Sequence, residues 1–400
     1  MARQVSTGID IGTSEIRVVI AEIFQDNGKN TPRIIGTGSS ESRGVYRGYI
    51  TNVGEAAKSL EVAIRQAEKT AGLKVKNAYV GFGGIGLGSV VSTGSVTISR
   101  ADMEITEKDI EAATEAAGSL IPPAASINRK ILNTAPIEYK IDGKTVWGQA
   151  LGLKAQKLEV KALFINCLEH HLADLFSVVE EAGVEVSDVV ASPLAESLVT
   201  LTKKQKRAGC LLADLGAETL SVMVFENNNI LSLEVFPFGG NDITNDIALG
   251  LKISPENAEE LKIGHDRGLS YPKKKLEEII ASRLREVFGS VDNHLKAIGR
   301  NALLPAGIII AGGSASLTGI KTVAESSLKL PSGLAEVYFG EASEGRIKNR
   351  TWAVACGLSL FGLSAEDSSN IADLTRNREI TKRGKHWLAL LKRSIHQFLP

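Results

Sequence analysis

One segment near the start of the chain combines a carboxylate, a glycine and two hydroxyl residues. Asp10 lies between two apolar runs, and Gly12, Thr13 and Ser14 follow it. Glycine lets a backbone N–H approach an anion closely, hydroxyls donate to phosphate oxygens, and an aspartate holds a metal ion or its waters. The pattern predicts a strand–turn–strand hairpin that binds phosphate. A hairpin that binds nothing explains this segment equally well when it is taken alone.

The same pattern returns in the second half of the chain. Asp214 ends an apolar run, Gly216 comes two residues later, and Glu218 and Thr219 precede a second apolar run that ends at Phe225. Two hairpins of this kind could hold one polyphosphate from opposite sides. The repetition favours a phosphate site over two unrelated turns.

Two further groups of residues suit the nucleoside part of such a ligand. A later apolar run ends in Gly312, Gly313 and Ser314, where the backbone can pass close to a flat ring. Glu259 and Lys262 are three residues apart and share one face of a predicted helix. An ordinary strand-to-helix turn and a surface ion pair are the respective alternatives.

Composition restricts the class of protein. The chain has 400 residues, 43% of them hydrophobic, and its 46 basic residues balance 46 acidic ones. It can therefore bury more than one core, and zero net charge argues against a general nucleic-acid-binding surface. Cys167, Cys210 and Cys356 match no zinc spacing, so we expect buried thiols in a reducing cytosol. No apolar run approaches the roughly 18 residues of a membrane span and no signal peptide is evident, so we expect any membrane contact to be peripheral.

Hydrophobic periodicity predicts two α/β halves with a β-rich insert between them. A glycine-rich stretch at 81–94 marks the start of the insert, which has a predicted helix at 106–119 and strands at 130–139 and 146–160. We expect the basic run 203–207 to be a solvated connector. The other predicted helices cover 55–71, 168–182, 242–251, 255–264 and 273–298, and the other strands cover 34–38, 78–82, 162–165, 188–191, 211–225, 230–236 and 307–311.

Two phosphate hairpins followed by a Gly-Gly turn resemble the actin, sugar-kinase and heat-shock ATPase superfamily. Within it the chain is most similar to the FtsA family of bacterial division actins, because segments 237–248 and 258–262 both resemble that family. The insert at 85–165 also lies where FtsA proteins carry their subdomain 1C. The resemblance spans nearly the whole chain.

The resemblance implies a duplicated, ribonuclease-H-like actin fold with a 1C-type insert and a C-terminal amphipathic helix. The implied subdomains are 1A at 1–84 and 166–202, 1C at 85–165, 2A at 203–240 and 299–363, and 2B at 241–298, followed by a flexible linker at 364–380 and a membrane-targeting helix at 381–400. Little room remains between Lys262 and the helix from Lys273 for the β-hairpin usual in subdomain 2B, where such proteins bind the tail of the division tubulin FtsZ.

The resemblance also assigns ATP and Mg²⁺ as ligands. It gives Asp10 and Asp214 to the metal. It gives the following residues to the nucleotide: Gly12, Thr13, Ser14, Gly216, Glu218, Thr219, Gly239, Gly240, Glu259, Lys262, Gly312, Gly313 and Ser314. One departure concerns catalysis, because Ser192 stands just before Pro193 where related filament ATPases tend to carry a glutamate that orients water. Glu196, one helical turn on, is the substitute candidate, and we expect slow hydrolysis or binding alone.

The last segment of the chain has the pattern of an interfacial helix. On a helical wheel Trp387, Leu388, Leu391, Ile395, Phe398 and Leu399 share one side, and Lys385, Lys392, Arg393 and His396 lie opposite. Apolar area and positive charge together favour an anionic membrane surface. A helix docked on its own protein is the alternative.

These features together predict a filament-forming, ATP-binding division protein that binds the FtsZ tail and lies at the cytoplasmic face of the membrane at the division site. A small-molecule kinase of the same superfamily is one alternative, although no catalytic aspartate for an acceptor hydroxyl is apparent. A pilus-assembly adaptor of similar fold, which binds a membrane partner's peptide, is another.

Overall fold

The computed structural model describes residues 4–26, 29–265, 271–340 and 349–372. The first part of the chain contains β1 (Val5–Ile11), β2 (Glu15–Asp26), β3 (Lys29–Glu41), β4 (Val45–Tyr46), β5 (Tyr49–Ile50), α1 (Val53–Ala71) and β6 (Asn77–Phe82). The insert follows with β7 (Gly88–Thr97), α2 (Glu107–Ser119), α3 (Pro123–Ser126), β8 (Arg129–Ile141), β9 (Lys144–Val146) and β10 (Lys157–Leu168). The first half then ends with α4 (Glu169–Glu181), β11 (Glu185–Ala191), α5 (Ser192–Thr200) and α6 (Lys203–Ala208).

The second half repeats the order of elements. It contains β12 (Cys210–Leu215), β13 (Leu220–Glu226), β14 (Asn229–Phe236), α7 (Gly240–Leu251), α8 (Pro255–Lys262), α9 (Lys273–Ala297), β15 (Ile308–Ala311), α10 (Ile320–Leu328), β16 (Ser332–Leu334) and α11 (Ala353–Ala372). Short 3₁₀ turns at Gly313–Ser316 and Arg350–Trp352 precede α10 and α11.

The two halves have sheets of the same topology. The first sheet has the order β11-β6-β1-β2-β3, and the corresponding part of the second has the order β16-β15-β12-β13-β14. In each, three antiparallel strands joined by hairpins are followed by two strands parallel to the first. The predicted ribonuclease-H-like duplication of the actin superfamily is therefore confirmed.

The insert extends the second sheet. Its strands β7, β10, β8 and β9 continue from β14, and the β14–β7 junction consists of one pair, Glu234 opposite Gly88. Helix α2 covers one face of these strands, and Ile105, Ala113 and Phe164 contribute to a small core of their own. A capping box at Thr106 and Asp109 fixes the start of α2. The insert is thus a separately packed α+β unit.

One helix from each half, α5 and α11, packs between the sheets. Helix α11 contacts β1, β2 and β6 of the first half, and α5 contacts α11 and strands β12 and β13 of the second half. Small residues permit this close approach: a Cβ on Gly8 would lie 2.3 Å from the carbonyl oxygen of Ala355, and one on Gly357 would lie 1.9 Å from that of Ala195. The helices therefore fasten the two halves together at the base of the cleft between them.

Three sequence-based expectations are wrong in detail. The basic run at 203–207 is not a solvated connector but most of α6, which begins with a Thr202–Gln205 capping box and buries Lys206. Residues 147–156 form turns in place of a continuous strand, because Gly148 and Gly152 adopt positive φ there. Residues 364–372, expected to be the start of a flexible linker, belong to α11, which continues to Ala372.

Among the helices that the structure describes, none is both long and apolar enough to cross a bilayer.

Candidate functional site

The two candidate phosphate hairpins have matched geometry. Asp10 pairs with Arg17 across β1 and β2, and Asp214 pairs with Ser221 across β12 and β13. In both hairpins the aspartate lies at the second-last position of its strand, and the turn glycine follows two residues later. The sequence repeat is thus a structural repeat, in which each half presents one turn to the cleft.

The cleft between the halves has a volume of about 340 Å³, within the usual range for small-molecule sites. It brings together most of the residues predicted from the sequence. Those that line it are Asp10, Gly12, Thr13, Ser14, Glu196, Asp214, Gly216, Thr219, Gly240, Glu259, Lys262, Gly312, Gly313 and Ser314.

Three carboxyl groups meet at the floor of the cleft. Burial raises the pKa of Asp10 to about 6, against the opposing effect of Arg17. Burial and the neighbouring Asp10 raise the pKa of Asp214 to about 7. Glu196 is 1% exposed, and burial followed by repulsion from Asp214 and Asp10 raises its pKa well above the usual value. These carboxyl groups therefore retain their protons to higher pH than exposed carboxyl groups do.

This arrangement fits a hydrated Mg²⁺ ion. One oxygen of Glu196 is buried and has no hydrogen-bond partner among the described residues, and the aspartates repel each other, so a divalent cation would relieve both costs. Within the described ranges, no group of three His, Cys, Asp or Glu side chains could enclose a metal by itself. Mg²⁺ commonly keeps several waters and uses one or two carboxylates plus substrate phosphates. Asp10 and Asp214 are the residues that would hold it.

Glycine is required at one position beside this cluster. Gly312 has φ +83, and a Cβ there would lie 2.3 Å from Oδ1 of Asp214. The backbone after β15 therefore passes directly over the aspartate. The hydroxyl of Ser314 donates to the carbonyl of Gly216 at 3.2 Å, which ties this segment to the second hairpin. Ser314 thus supports the shape of the cleft.

The α7–α8 wall holds a cation in a defined place. The Lys262 ammonium donates to the carbonyl of Gly240 at 3.0 Å and to Thr244 Oγ1 at 2.8 Å, and it lies 2.6 Å from Glu259 Oε2. The Lys262 side chain is only 7% exposed, whereas Glu259 is 45% exposed. The pair is therefore part of the cleft wall, not a surface ion pair.

Two predicted ligand residues do not line the cleft. Glu218 points away from the phosphate side, because its carboxylate accepts hydrogen bonds from the backbone N–H of Arg47 and the side-chain amide of Asn241. Gly239 lies behind the second hairpin, where a Cβ would be 2.2 Å from the carbonyl oxygen of Ala217. Both residues lie next to the cleft, but neither lines its surface.

Several cleft residues escaped sequence reasoning. Arg17 lines the cleft, as do Arg350 and Thr351 just before α11. Arg17 Nε, Arg350 Nη1 and Thr351 Oγ1 are buried without a hydrogen-bond partner in the part of the chain that the structure describes. The β1–β2 register could have indicated Arg17, because this residue lies two positions after the start of β2 and directly opposite Asp10. Nothing in the sequence near Arg350 resembles a ligand motif.

Ser192 occupies the first position of α5 and faces the cleft. A Cβ on Gly81 would lie 2.7 Å from its hydroxyl oxygen, so the serine fills the space beside β6. Glu196, one turn along the same helix, contributes the carboxyl group that reaches the aspartates. The predicted membrane residues Lys385, Trp387, Leu388, Leu391, Lys392, Arg393, Ile395 and Phe398 lie outside the described residues.

Sequence profiles of two related families match the chain. The profile described as "Cell division protein FtsA" matches residues 211–357, and the profile described as "SHS2 domain inserted in FTSA" matches residues 84–166. The second match covers the β-rich insert, and the first covers most of the second half.

Whole-chain comparisons agree with these matches. A Cell division protein FtsA from Borreliella burgdorferi is 30% identical over 356 residues, which are 83% of this chain and 84% of the relative. One from Pseudomonas aeruginosa is 29% identical over 90% of this chain and 89% of the relative. In structure, a chain of the PilM-PilN type IV pilus biogenesis complex aligns at 18% identity with a TM-score of 0.65, covering 90% of this chain and 98% of that one. The ethanolamine utilization protein EutJ from Carboxydothermus hydrogenoformans aligns at 15% identity with a TM-score of 0.52 over 90% of each chain.

The structural likenesses show the fold alone, whereas the sequence relatives are similar over nearly their whole length. In this chain the matched insert, residues 84–166, precedes the matched second half, residues 211–357. The chain belongs to the FtsA family of actin-like cell-division proteins.

Proposed function

We propose that this protein binds Mg-ATP between its two halves, polymerises, and tethers FtsZ to the inner face of the cytoplasmic membrane. The observation that carries the nucleotide part is the pair of matched hairpins, each with an aspartate beside one cleft. Two such turns together with three carboxyl groups suit a polyphosphate that carries a metal ion.

The residues divide the work as follows. The turn N–H groups and the hydroxyls of Ser14 and Thr219 face the phosphates, and Asp10 and Asp214 hold Mg²⁺ or its waters. A Mg²⁺ ion held there would supply positive charge to offset that of the phosphates. Lys262 and the backbone at Gly312 bound the nucleoside side of the cleft. We expect slow turnover, because Ser192 has no carboxylate and burial raises the pKa of Glu196 well above its usual value, which leaves less of it ionised to act as a base.

The tether depends on family membership and on the tail sequence. Relatives of this chain are cell-division proteins, and the C-terminal segment carries an apolar side with Trp387 opposite a basic side. Such a segment binds an anionic membrane through buried apolar area plus charge attraction. FtsZ is the partner that family membership favours, and self-association supplies the filament.

A pair of glycine variants tests the nucleotide site. Gly312→Ala places a Cβ against Asp214, whereas a Cβ on Gly319 would have no described atom within 4 Å. Gly312, at φ 83 and ψ 176, lies in a region open essentially to glycine alone, and Gly319, at φ 78 and ψ −3, lies near the left-handed helical region, so alanine strains the backbone more at 312 than at 319. Circular dichroism should therefore first show that Gly312→Ala folds. Titration calorimetry with Mg-ATP should show binding lost in Gly312→Ala and retained in Gly319→Ala. Equal affinity in the two variants would place the nucleotide elsewhere.

A further inference from the structure

The short β4–β5 hairpin, residues 44–51, lies where three parts of the molecule meet. Val45 pairs with Ile50 and Tyr46 with Tyr49, which leaves Arg47 and Gly48 as a two-residue turn. Both turn residues have positive φ, +49 for Arg47 and +75 for Gly48. This is the tight type I′ geometry, which has little freedom to stretch.

The turn contacts both candidate phosphate hairpins through adjacent backbone groups. The N–H of Arg47 donates to Glu218 Oε2 at 2.7 Å, and Glu218 belongs to the second half. The N–H of Gly48 donates to Thr13 Oγ1 at 3.1 Å, and Thr13 belongs to the first half. The other Glu218 oxygen accepts from the Asn241 amide at 3.2 Å. Because the two donors are neighbours in a rigid turn, both bonds can form only when the two hairpins are close together.

The residue after the turn connects this contact to the insert. The Tyr49 ring stacks on His171 with ring centroids 3.5 Å apart, and His171 follows the last strand of the insert. A Cβ on Gly84 would lie 2.9 Å from the Tyr49 ring, and one on Gly86 would lie 2.6 Å from the Tyr49 hydroxyl. Tyr49 thus packs against both connections through which the insert joins the first half.

We propose that the β4–β5 hairpin couples closure of the nucleotide cleft to the orientation of the insert. This inference rests on the proposed nucleotide function. A ligand that bridges the two hairpins fixes their separation at the value that lets Arg47 and Gly48 make both bonds. The same rigid turn then holds Tyr49 in place between the two connections of the insert. When the cleft opens, one bond breaks, and Tyr49 is released from that constraint.

Glu218 is a positioning residue in this device. Its negative charge is unfavourable for phosphate binding, and its two oxygens already accept hydrogen bonds from the Arg47 N–H and the Asn241 amide. Glu218→Ala removes the connection between the halves. Glu218→Gln retains an acceptor for the Arg47 N–H, and its amide can donate to Asn241 once that side chain rotates, so it serves as the conservative control.

Hydrogen–deuterium exchange of the full chain, with and without saturating Mg-ATP, tests the coupling. In the wild type we expect Mg-ATP to slow exchange several-fold at the insert connections, residues 82–88 and 166–172. Tyr49→Ala should bind Mg-ATP and lose that slowing, whereas Tyr49→Phe, which keeps the ring, should retain it. Glu218→Ala should lose it as well, with about ten-fold weaker Mg-ATP affinity, and Glu218→Gln should restore both.

The outcomes separate the coupling from the nucleotide function. If the wild type binds Mg-ATP but exchange at the connections does not change, the coupling is wrong and the nucleotide site stands. The coupling is also wrong if Mg-ATP slows exchange at the insert connections in both Tyr49→Ala and Glu218→Ala as much as it does in the wild type. Absence of Mg-ATP binding in the wild type would overturn both proposals.

Discussion

Replacing Asp214 by asparagine should stabilise the protein without nucleotide and abolish its binding of Mg-ATP. Asp214 lies beside Asp10 and Glu196 in a cleft where burial raises its pKa from 3.8 to about 7. The folded state therefore holds a proton that the unfolded state has lost above about pH 4. The stability that this proton contributes to the folded state is fully present below about pH 4 and is lost as the pH rises through about 7.

The pKa shift sets the size of the effect. About three pKa units at about 1.4 kcal/mol each give a ceiling of about 4 kcal/mol above pH 7. Asp214 is not fully excluded from water, so we expect a gain of about 2–4 kcal/mol in the free energy of unfolding of Asp214→Asn at pH 8. At pH 5, where the folded wild type is still protonated, the gain should fall below about 2 kcal/mol.

Urea unfolding monitored by circular dichroism at pH 5 and pH 8, without nucleotide, measures this difference. Asp10→Asn is the internal comparison, because its pKa rises only to about 6 and its gain should be smaller. With Mg-ATP present the order should reverse, since the wild type binds the ligand and Asp214→Asn does not. A variant that is less stable than the wild type at pH 8, or a difference independent of pH, would refute the account of the carboxyl cluster.

Further predictions concern turnover, the core and the tail. Ser192→Glu should raise the rate of phosphate release by supplying a carboxylate that orients water, and a fast wild-type rate insensitive to Glu196→Ala would contradict this. Lys206→Met should raise the free energy of unfolding at pH 7 by up to about 3 kcal/mol, because burial lowers the pKa of Lys206 to about 8. That gain should shrink as the pH rises from 8 towards 10.5, where the folded lysine loses its proton first; a gain constant with pH would contradict the burial argument. Trp387→Glu should release the protein from liposomes in flotation at any salt concentration, and unchanged flotation would favour a docked tail.

The duplicated fold and most of the cleft were predictable because both rest on local patterns. The Asp-to-Gly spacing at Asp10 and Asp214 fixes a turn by itself, and the glycines at 312–313 follow a strand whose apolar run is unmistakable. Each of these signals depends only on neighbours in sequence. Because the two sheets share one topology, each half presents its turn to the same cleft.

The remaining parts depend on contacts between distant residues. Lys206 looks like part of a solvated basic run, yet its ammonium lies 3.3 Å from Ser197 Oγ and over the Phe225 ring at 5.1 Å. Glu218 has the right position in the hairpin to touch phosphate, but Arg47, far away in sequence, engages its carboxylate. Neither partner can be inferred from residue type or spacing, because each comes from a different element.

The proposed tether between FtsZ and the membrane is tested most directly by flotation of FtsZ with anionic liposomes. Purified FtsZ would be mixed with the liposomes and the full chain, with and without Mg-ATP, and a chain ending at residue 380 would serve as the matched control. We expect FtsZ to float only with the full chain, and more completely with Mg-ATP. FtsZ that floats equally with the shortened chain, or stays at the bottom with the full chain, would contradict the proposed function.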